Sequence, residues 1–375
     1  MSAERTAVLV TGISGNLGLR LLPLLADEFD VIGVDLRPPA DTSRLKRFES
    51  MDLGRETSCD ALVALLHETK AKAVIHLAFV IDPQRTGVTA EDRMWQINVA
   101  GTARVMEAIA DVNRHHGEII KFIFPSSVSA YGPETPPMVK EDHPLEAHTL
   151  PYAIHKKESD IVVRYRADQM GACSIYLLRP HIFTGATVQN YLVGALRGTP
   201  MGNGPWGEKL RRKGTRLPLM LPFGAEMPQK KFQFVHVDDM ARLLAWLVRR
   251  PEKELGKLHV LNVAGRGEPL TLQQCAAIAQ QKLIRVPRWL AERILTFLWN
   301  RGASSIPPKA FPYMIGSYTM DTKQLQWMLG EDYTTVIEHT VEEALADSFR
   351  EPTGEAPKWK KPLAIARKQG ETAKP

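Results

Sequence analysis

The 375 residues are 44% hydrophobic and 24% charged, enough to bury one large core arranged as one big domain or two interleaved ones. Three cysteines, Cys59, Cys173 and Cys275, lie far apart without paired or metal-ligand spacing, which argues against a disulfide framework and a metal site and fits a reducing, cytoplasmic setting. Of the formal charge of +6, +5 gathers in residues 358–375, within a stretch over 351–375 that reads as a disordered basic tail, which leaves the body near neutral, against a nucleic-acid surface.

The N-terminal apolar run is too short for a signal-peptide core, and no stretch approaches the roughly 18 apolar residues of an integral membrane segment. Through the first 180 residues, strand-like runs alternate with helical patterns. TAVLVTG, DVIGVDL, AKAVIHLA, IIKFIFPSS and ACSIYLLRP are the strands; NLGLRLLPLLADE, CDALVALLHET, RMWQINVAGTARVMEAIADV and ESDIVVRYRADQM are the helices. Strands lacking polar alternation belong to a sheet covered on both faces, so the expected fold is α/β, with a doubly wound parallel sheet.

From Phe183 to Lys231 the rhythm gives way to a Gly-, Pro- and Arg-rich stretch before FQFVHV, DDMARLLAWLVRR and KLHVLNVAG resume it. The remainder is mostly helical and aromatic, as in a small cap packed on the sheet. The expected division is 1–185 plus about 230–265 for the sheet domain, and about 186–229 plus 266–350 for the cap. Trp289 to Trp299 is expected to form cap core or a dimer surface rather than an interfacial membrane helix.

Gly12, Gly15 and Gly18 fall where the first strand turns into the first helix. Glycines there permit a tight turn, let backbone amides approach a pyrophosphate and let the helix pack close. Asp35 ends the second strand at the spacing where a carboxylate accepts hydrogen bonds from an adenosine ribose, which favours NAD. Arg37 keeps NADP open, because it could neutralise a 2′-phosphate. Asp52 and Leu53, taken as the end of a third strand, are candidates for adenine contact.

PYAIHK, residues 151–156, places Tyr152 and Lys156 one helical turn apart. With the ordered set TGISGNLG, HLA (76–78), NVAGT (98–102), PSSVSAYG (125–132), EDHP (141–144), LRP (178–180) and FVHVDD (234–239), the chain resembles the extended short-chain dehydrogenases/reductases, the NAD-dependent epimerase/dehydratase family. The resemblance implies a Rossmann-type sheet of about seven strands with a smaller, mostly helical C-terminal substrate-binding cap. It implies that Ser14, Asn16, Leu17, Leu77, Ala78 and Pro180 join the three glycines along NAD, and that Asn98 holds the active-site helix. It also implies that Ser127, Tyr152 and Lys156 do the chemistry, Ser127 being chosen over Ser126 and Ser129 because it lies four residues before Tyr131.

A tyrosine titrates near 10 when free, so acid–base work near neutrality requires positive charge from Lys156 and the nicotinamide. His155 is expected to be an exposed neighbour, His76 a packing residue and His236 structural. Asp238 and Asp239 either cap a helix or touch ligand. For the substrate, Ile182 and Phe232 stand where sugar-nucleotide enzymes of the family carry Asn and Arg, and Asn190 and the basic run Lys209 to Arg216 are the remaining phosphate candidates. Three functions are open: a dehydrogenase or reductase of small or lipid-like alcohols and carbonyls, a UDP-sugar epimerase or dehydratase with retained NAD, and a non-catalytic NAD sensor. A small-molecule substrate and a possible homodimer complete the expectations.

Overall fold

Seven parallel strands form the central sheet, in the order β11-β6-β5-β4-β1-β2-β3. They are β1 (Ala7–Thr11), β2 (Asp30–Asp35), β3 (Arg47–Ser50), β4 (Ala73–His76), β5 (Lys121–Pro125), β6 (Ser174–Pro180) and β11 (Leu258–Val263). The computed structural model describes residues 5–350 except 116, 118, 253 and 254, so the tail 351–375 lies outside the described residues. Every residue of β1, β5 and β6 is buried, which is why these strands carry no polar alternation.

Side chains alternate between two cores. Val8 and Val10 pack with Leu21 and Leu25 of the first helix (Asn16–Leu25) and with Leu243 and Leu244 of the helix Val237–Arg249. Leu9 faces the other way, with Ile109 of the helix Gly101–His115, and with Phe122 and Leu177. The chain order reverses between β1 and β4, opening a crevice at the C-terminal ends of the strands.

The strands outside this sheet pair in twos. Parallel β7 (Ile182–Thr184) joins β10 (Phe234–His236), β8 (Leu219–Pro222) joins β13 (Leu283–Val286), and antiparallel β9 (Lys231–Phe232) joins β12 (Leu270–Thr271). They share a third core with Leu192, Leu272, Met320 and Leu345. The Gly-, Pro- and Arg-rich stretch folds into helices Tyr191–Arg197 and Pro205–Arg212, the second started by Pro205 at its first position.

Two expectations are corrected. The third strand ends at Ser50, and Asp52 instead accepts the Gly54 amide at 3.0 Å and pairs with Arg93. Neither Asp238 nor Asp239 caps its helix: the His236 ring accepts the Asp238 amide at 3.2 Å, Asp238 pairs with Arg20, and fully buried Asp239 is held by Arg242 and His339. The helix Arg288–Asn300 is core on one side only: Ala291 alone is fully buried, and Trp289 and Phe297 are exposed.

Candidate functional site

The crevice begins with the turn after β1. Gly12 has φ +71° and donates its amide to Val34 O at 2.7 Å; a Cβ there would come within 2.5 Å of the Ala78 amide nitrogen. Only glycine allows β1 and β4 to approach so closely at this point. A Cβ on Gly18 would run into the Ile13 carbonyl, so that glycine lets the first helix lie against the turn. Asp35 accepts the Ser14 amide at 3.0 Å and the Leu36 amide at 2.7 Å, and the Ser14 hydroxyl donates to Arg37 O at 2.6 Å. Each carboxylate oxygen keeps a further acceptor position, so these residues fit a dinucleotide that offers a diphosphate and ribose hydroxyls. Arg37 is exposed.

Asn16 and Leu17 follow the turn; Asn16 donates to Thr187 Oγ1 at 3.1 Å and Leu17 packs on the first core. Leu77 and half-buried Ala78 continue from β4 beside Gly12, and buried Pro180 closes β6. Leu53 is buried in the second core, and Asp52 is paired with Arg93.

Tyr152 and Lys156 sit on the first turns of the helix Pro151–Arg166, which begins with proline at its first position. Lys156 Nζ donates to Pro125 O at 2.7 Å, at the end of β5, and lies 3.5 Å from the centroid of the Phe79 ring and 5.0 Å from that of Phe124. Burial is the main cause that pushes its ammonium down to about 7, against the pull of Asp160. Phe79 also meets Tyr152 edge-on, with ring centroids 6.0 Å apart. Burial raises the Tyr152 hydroxyl above its usual range, and a hydrogen bond with the Ser127 side chain partly offsets this. Ser127 in turn accepts from the Ser129 hydroxyl at 2.9 Å, so the serine after β5 is oriented by its neighbour.

Asn98 lies in a π-helical turn, Gln96–Ala100, inserted before the helix Gly101–His115. The wider turn leaves its carbonyl to accept the Ser159 hydroxyl at 3.1 Å, while its side chain bridges the Val80 amide at 2.7 Å and the His155 ring at 3.3 Å. Asn98 thus ties the loop after β4 to the Tyr152 helix. His155, expected to be exposed, is buried by this bridge. His76 is buried between Thr11 and Thr102, and burial lowers its ring to about 3.

The substrate-side residues divide. Asn190 caps the helix Tyr191–Arg197, accepting the Val193 amide at 2.9 Å and donating to Phe183 O at 2.7 Å, so both ends of its amide are engaged. Phe232 is fully buried, edge-on to Tyr318, and so presents no open face, while Ile182 is half-buried and packs against the same core. Of the basic run, Arg211 donates to the Pro200 and Gly202 carbonyls, Arg216 to Arg197 O and Ala279 O, and Arg212 pairs with Glu208. Lys209 and Lys213 are exposed.

Phe79, Tyr191 and Ile306 were not legible in the sequence as site residues. Tyr191 and Ile306 pack with Tyr152 in one small cluster, and burial pushes the Tyr191 hydroxyl up. Arginine and carboxylate motifs also gain a role here. Fully buried Arg179 grips Asp160 of the Tyr152 helix with two bonds of 2.9 Å and reaches the Tyr131 hydroxyl and Glu141 O at 2.7 Å.

A doubly wound sheet whose crevice joins a glycine turn to a Ser, Tyr and Lys cluster defines the class of extended short-chain dehydrogenases/reductases. The family model for the NAD dependent epimerase/dehydratase family matches residues 8–264, and the chain belongs to that family of enzymes. It is 25% identical over 172 residues to an uncharacterized epimerase/dehydratase of Staphylococcus saprophyticus, a match covering 44% of this chain and 49% of that protein. An uncharacterized epimerase/dehydratase of Staphylococcus haemolyticus is 24% identical over 172 residues, 44% of this chain and 50% of that protein. The chain thus spans about half the length of the curated relatives it matches.

Solved structures share the fold over 92% of the chain. MoeE5, in complex with UDP-glucuronic acid and NAD, has a TM-score of 0.61 at 21% identity, with 97% of it covered. UDP-glucuronic acid 4-epimerase from Bacillus cereus, with UDP-glucuronic acid and NAD, has 0.60 at 18%, with 98% covered. UDP-glucose 4-epimerase from Thermotoga maritima, with UDP-glucose, has 0.60 at 17%, with 97% covered.

Proposed function

We propose that the chain is an NAD-dependent oxidoreductase that moves hydride between the nicotinamide and a substrate alcohol or carbonyl. The observation that carries this reading is the meeting of Ser127, Tyr152 and Lys156 at the end of β5, on the same C-terminal edge of the sheet as the glycine turn. Gly12, Ser14, Gly15, Asn16, Leu17 and Gly18 would hold the diphosphate, Asp35 the adenosine ribose, and Leu77, Ala78, Lys156 and Pro180 the nicotinamide half, with Asn98 positioning the loop after β4 and the Tyr152 helix. When bound, the nicotinamide supplies the hydride donor or acceptor.

Tyr152, kept protonated near neutrality by its burial, is suited to give its proton to a carbonyl oxygen as hydride reaches the carbonyl carbon. In the opposite direction its phenolate, the form that the positive charge of Lys156 and of bound oxidised nicotinamide would favour, would take the hydroxyl proton as the C–H bond yields hydride. Ser127 hydrogen-bonds the same oxygen, and Lys156 brings positive charge whose protonation changes near pH 7. A cytoplasmic setting, consistent with the three free cysteines, and a homodimer are parts of the proposal. Among the described residues no helix is long and apolar enough to cross a membrane.

A second reading, a UDP-sugar epimerase or dehydratase with retained NAD, is favoured by the ligands of MoeE5 and the two epimerases. The engagement of Asn190, Arg211 and Arg216 by backbone groups weighs against it. The test is to denature the purified protein, identify the released nucleotide, and assay ketones and UDP-sugars with NADH and NADPH. Ketone-dependent NADH consumption is expected. UDP-sugar interconversion with retained NAD and no net consumption would replace the first reading with the second.

A further inference from the structure

A cavity of about 100 Å³ lies between the helix Tyr191–Arg197, β8, the inner face of the helix Arg288–Asn300 and the helix Phe311–Ile315. Its wall includes Met201, Leu217, Met220, Leu295, Leu298 and Met314, and no charged side chain lines it. Thioethers give such a wall room to adapt to an apolar guest. The nearby guanidinium groups are turned away: Arg211 serves Pro200 O and Gly202 O, Arg216 serves Arg197 O, and Arg197 serves Ser348 O. A diphosphate here would find no cation, and a nucleobase would find little beyond the Thr199 and Ser304 hydroxyls.

The cavity adjoins the surroundings of Tyr152 through two elements. Ile306 belongs both to the cavity wall and to the cluster containing Tyr152 and Tyr191. Tyr191 starts the helix whose later residues Gly194 and Ala195, and the following Gly198, form another part of the wall. At 1.5 Å per residue that helix spans roughly 10 Å from Tyr191 to Gly198. A substrate with its reacting carbon at Tyr152 would therefore carry its far end into the cavity.

We propose that this cavity, together with its open mouth, binds the hydrocarbon part of the substrate, a branched or cyclic group of roughly four to six carbons on a secondary alcohol or ketone: an enclosed apolar cavity of about 150 Å³ takes benzene, and one of about 100 Å³ open on one side takes such a group with part of it in the mouth. The inference rests on the oxidoreductase reading and names the substrate class of the same site.

The test uses the full chain with NAD or NADH. Toluene binding is followed by ligand-observed NMR, and kcat/KM is measured for 2-alkanones from 2-butanone to 2-octanone. Toluene is expected to bind, and kcat/KM to rise about fourfold per methylene until the cavity is filled. Leu295→Asp, at a half-exposed position, should abolish toluene binding and lower the ratio of 2-octanone to 2-butanone kcat/KM at least tenfold. Met314→Trp, which fills the cavity without a charge, should do the same and serves if the first variant fails to fold. Toluene binding lost in the variants, with no alkanone reduced, would uphold the cavity and overturn the oxidoreductase reading. Alkanones reduced at a rate independent of chain length, with no toluene bound, would overturn the cavity proposal alone. Uridine 5′-diphosphate binding that either variant abolishes would also overturn it.

Discussion

Lys156 is held between a carbonyl acceptor and an aromatic face, 2.7 Å from Pro125 O and 3.5 Å from the Phe79 centroid, and burial still lowers its ammonium to about 7. In the unfolded chain it stays protonated to about 10.4. Between those values the folded state binds fewer protons, so this lysine adds stability as pH rises from about 7 towards 10 and that addition is absent below 7. The melting temperature of the parent should therefore rise relative to Lys156→Met between about pH 6.5 and 9.5; a difference constant with pH would contradict the shift. Phe79→Ala should remove a cation–π contact of about 0.5–2 kcal/mol, which by itself lowers the lysine further, and admit water, which raises it; because burial is the largest cause of the lowering, the net movement is back towards its usual range, as 15N-detected NMR titration would show. The Tyr152 and Lys156 pair was legible because one helical turn is a spacing that letters record. Phe79 was not, because an apolar residue after a buried strand looks the same whether it packs in a core or against a lysine. Asn190 and Phe232 misled for the converse reason: a cap and a core side chain resemble ligand contacts until the backbone around them is placed.

The Tyr152 helix is anchored at the element scale by the Arg179–Asp160 pair, both side chains fully buried. Removing one partner leaves the other charged and dry, so Asp160→Ala should cost about 3–5 kcal/mol in urea unfolding. Replacing both by apolar residues, Arg179→Met with Asp160→Leu, should cost less than the single change. A second link joins the helix Val341–Asp347 to β10. Asp347 accepts from the His236 ring at 3.1 Å, the largest cause of a carboxyl lowered to about 2. A carboxyl lowered in this way stabilises the fold above about pH 4, and the contribution disappears as pH falls through 2. Asp347→Asn should cost on the order of 2 kcal/mol at pH 7 and almost nothing near pH 2, measured by denaturant unfolding. Strands and helices of the sheet domain were legible from uninterrupted apolar runs and helical periods. The π-helical turn at Asn98 was not, since one extra residue in a helix leaves no mark on composition.

At the scale of the molecule, seven parallel strands bring the glycine turn of β1, the Asp35 end of β2, Ala78 after β4 and Ser127 after β5 to one edge of the sheet. These are distant in sequence and adjacent only because the strand order reverses between β1 and β4. That topology follows from the alternation of elements and the glycine spacing, which is why so much of it could be read in advance. The cap could not, because its short strand pairs join segments with no pattern of their own, and its aromatic helix Arg288–Asn300 lines the cavity with one face and leaves Trp289 in solvent on the other. The most direct test of the account is the nicotinamide absorbance during turnover of an alcohol and ketone panel by the parent and Tyr152→Phe. Substrate-dependent NADH consumption or formation that falls about 10²–10⁴-fold in the variant, with NADH binding retained, is the predicted result. Turnover equal in both proteins would contradict the assignment of Tyr152 as the proton carrier.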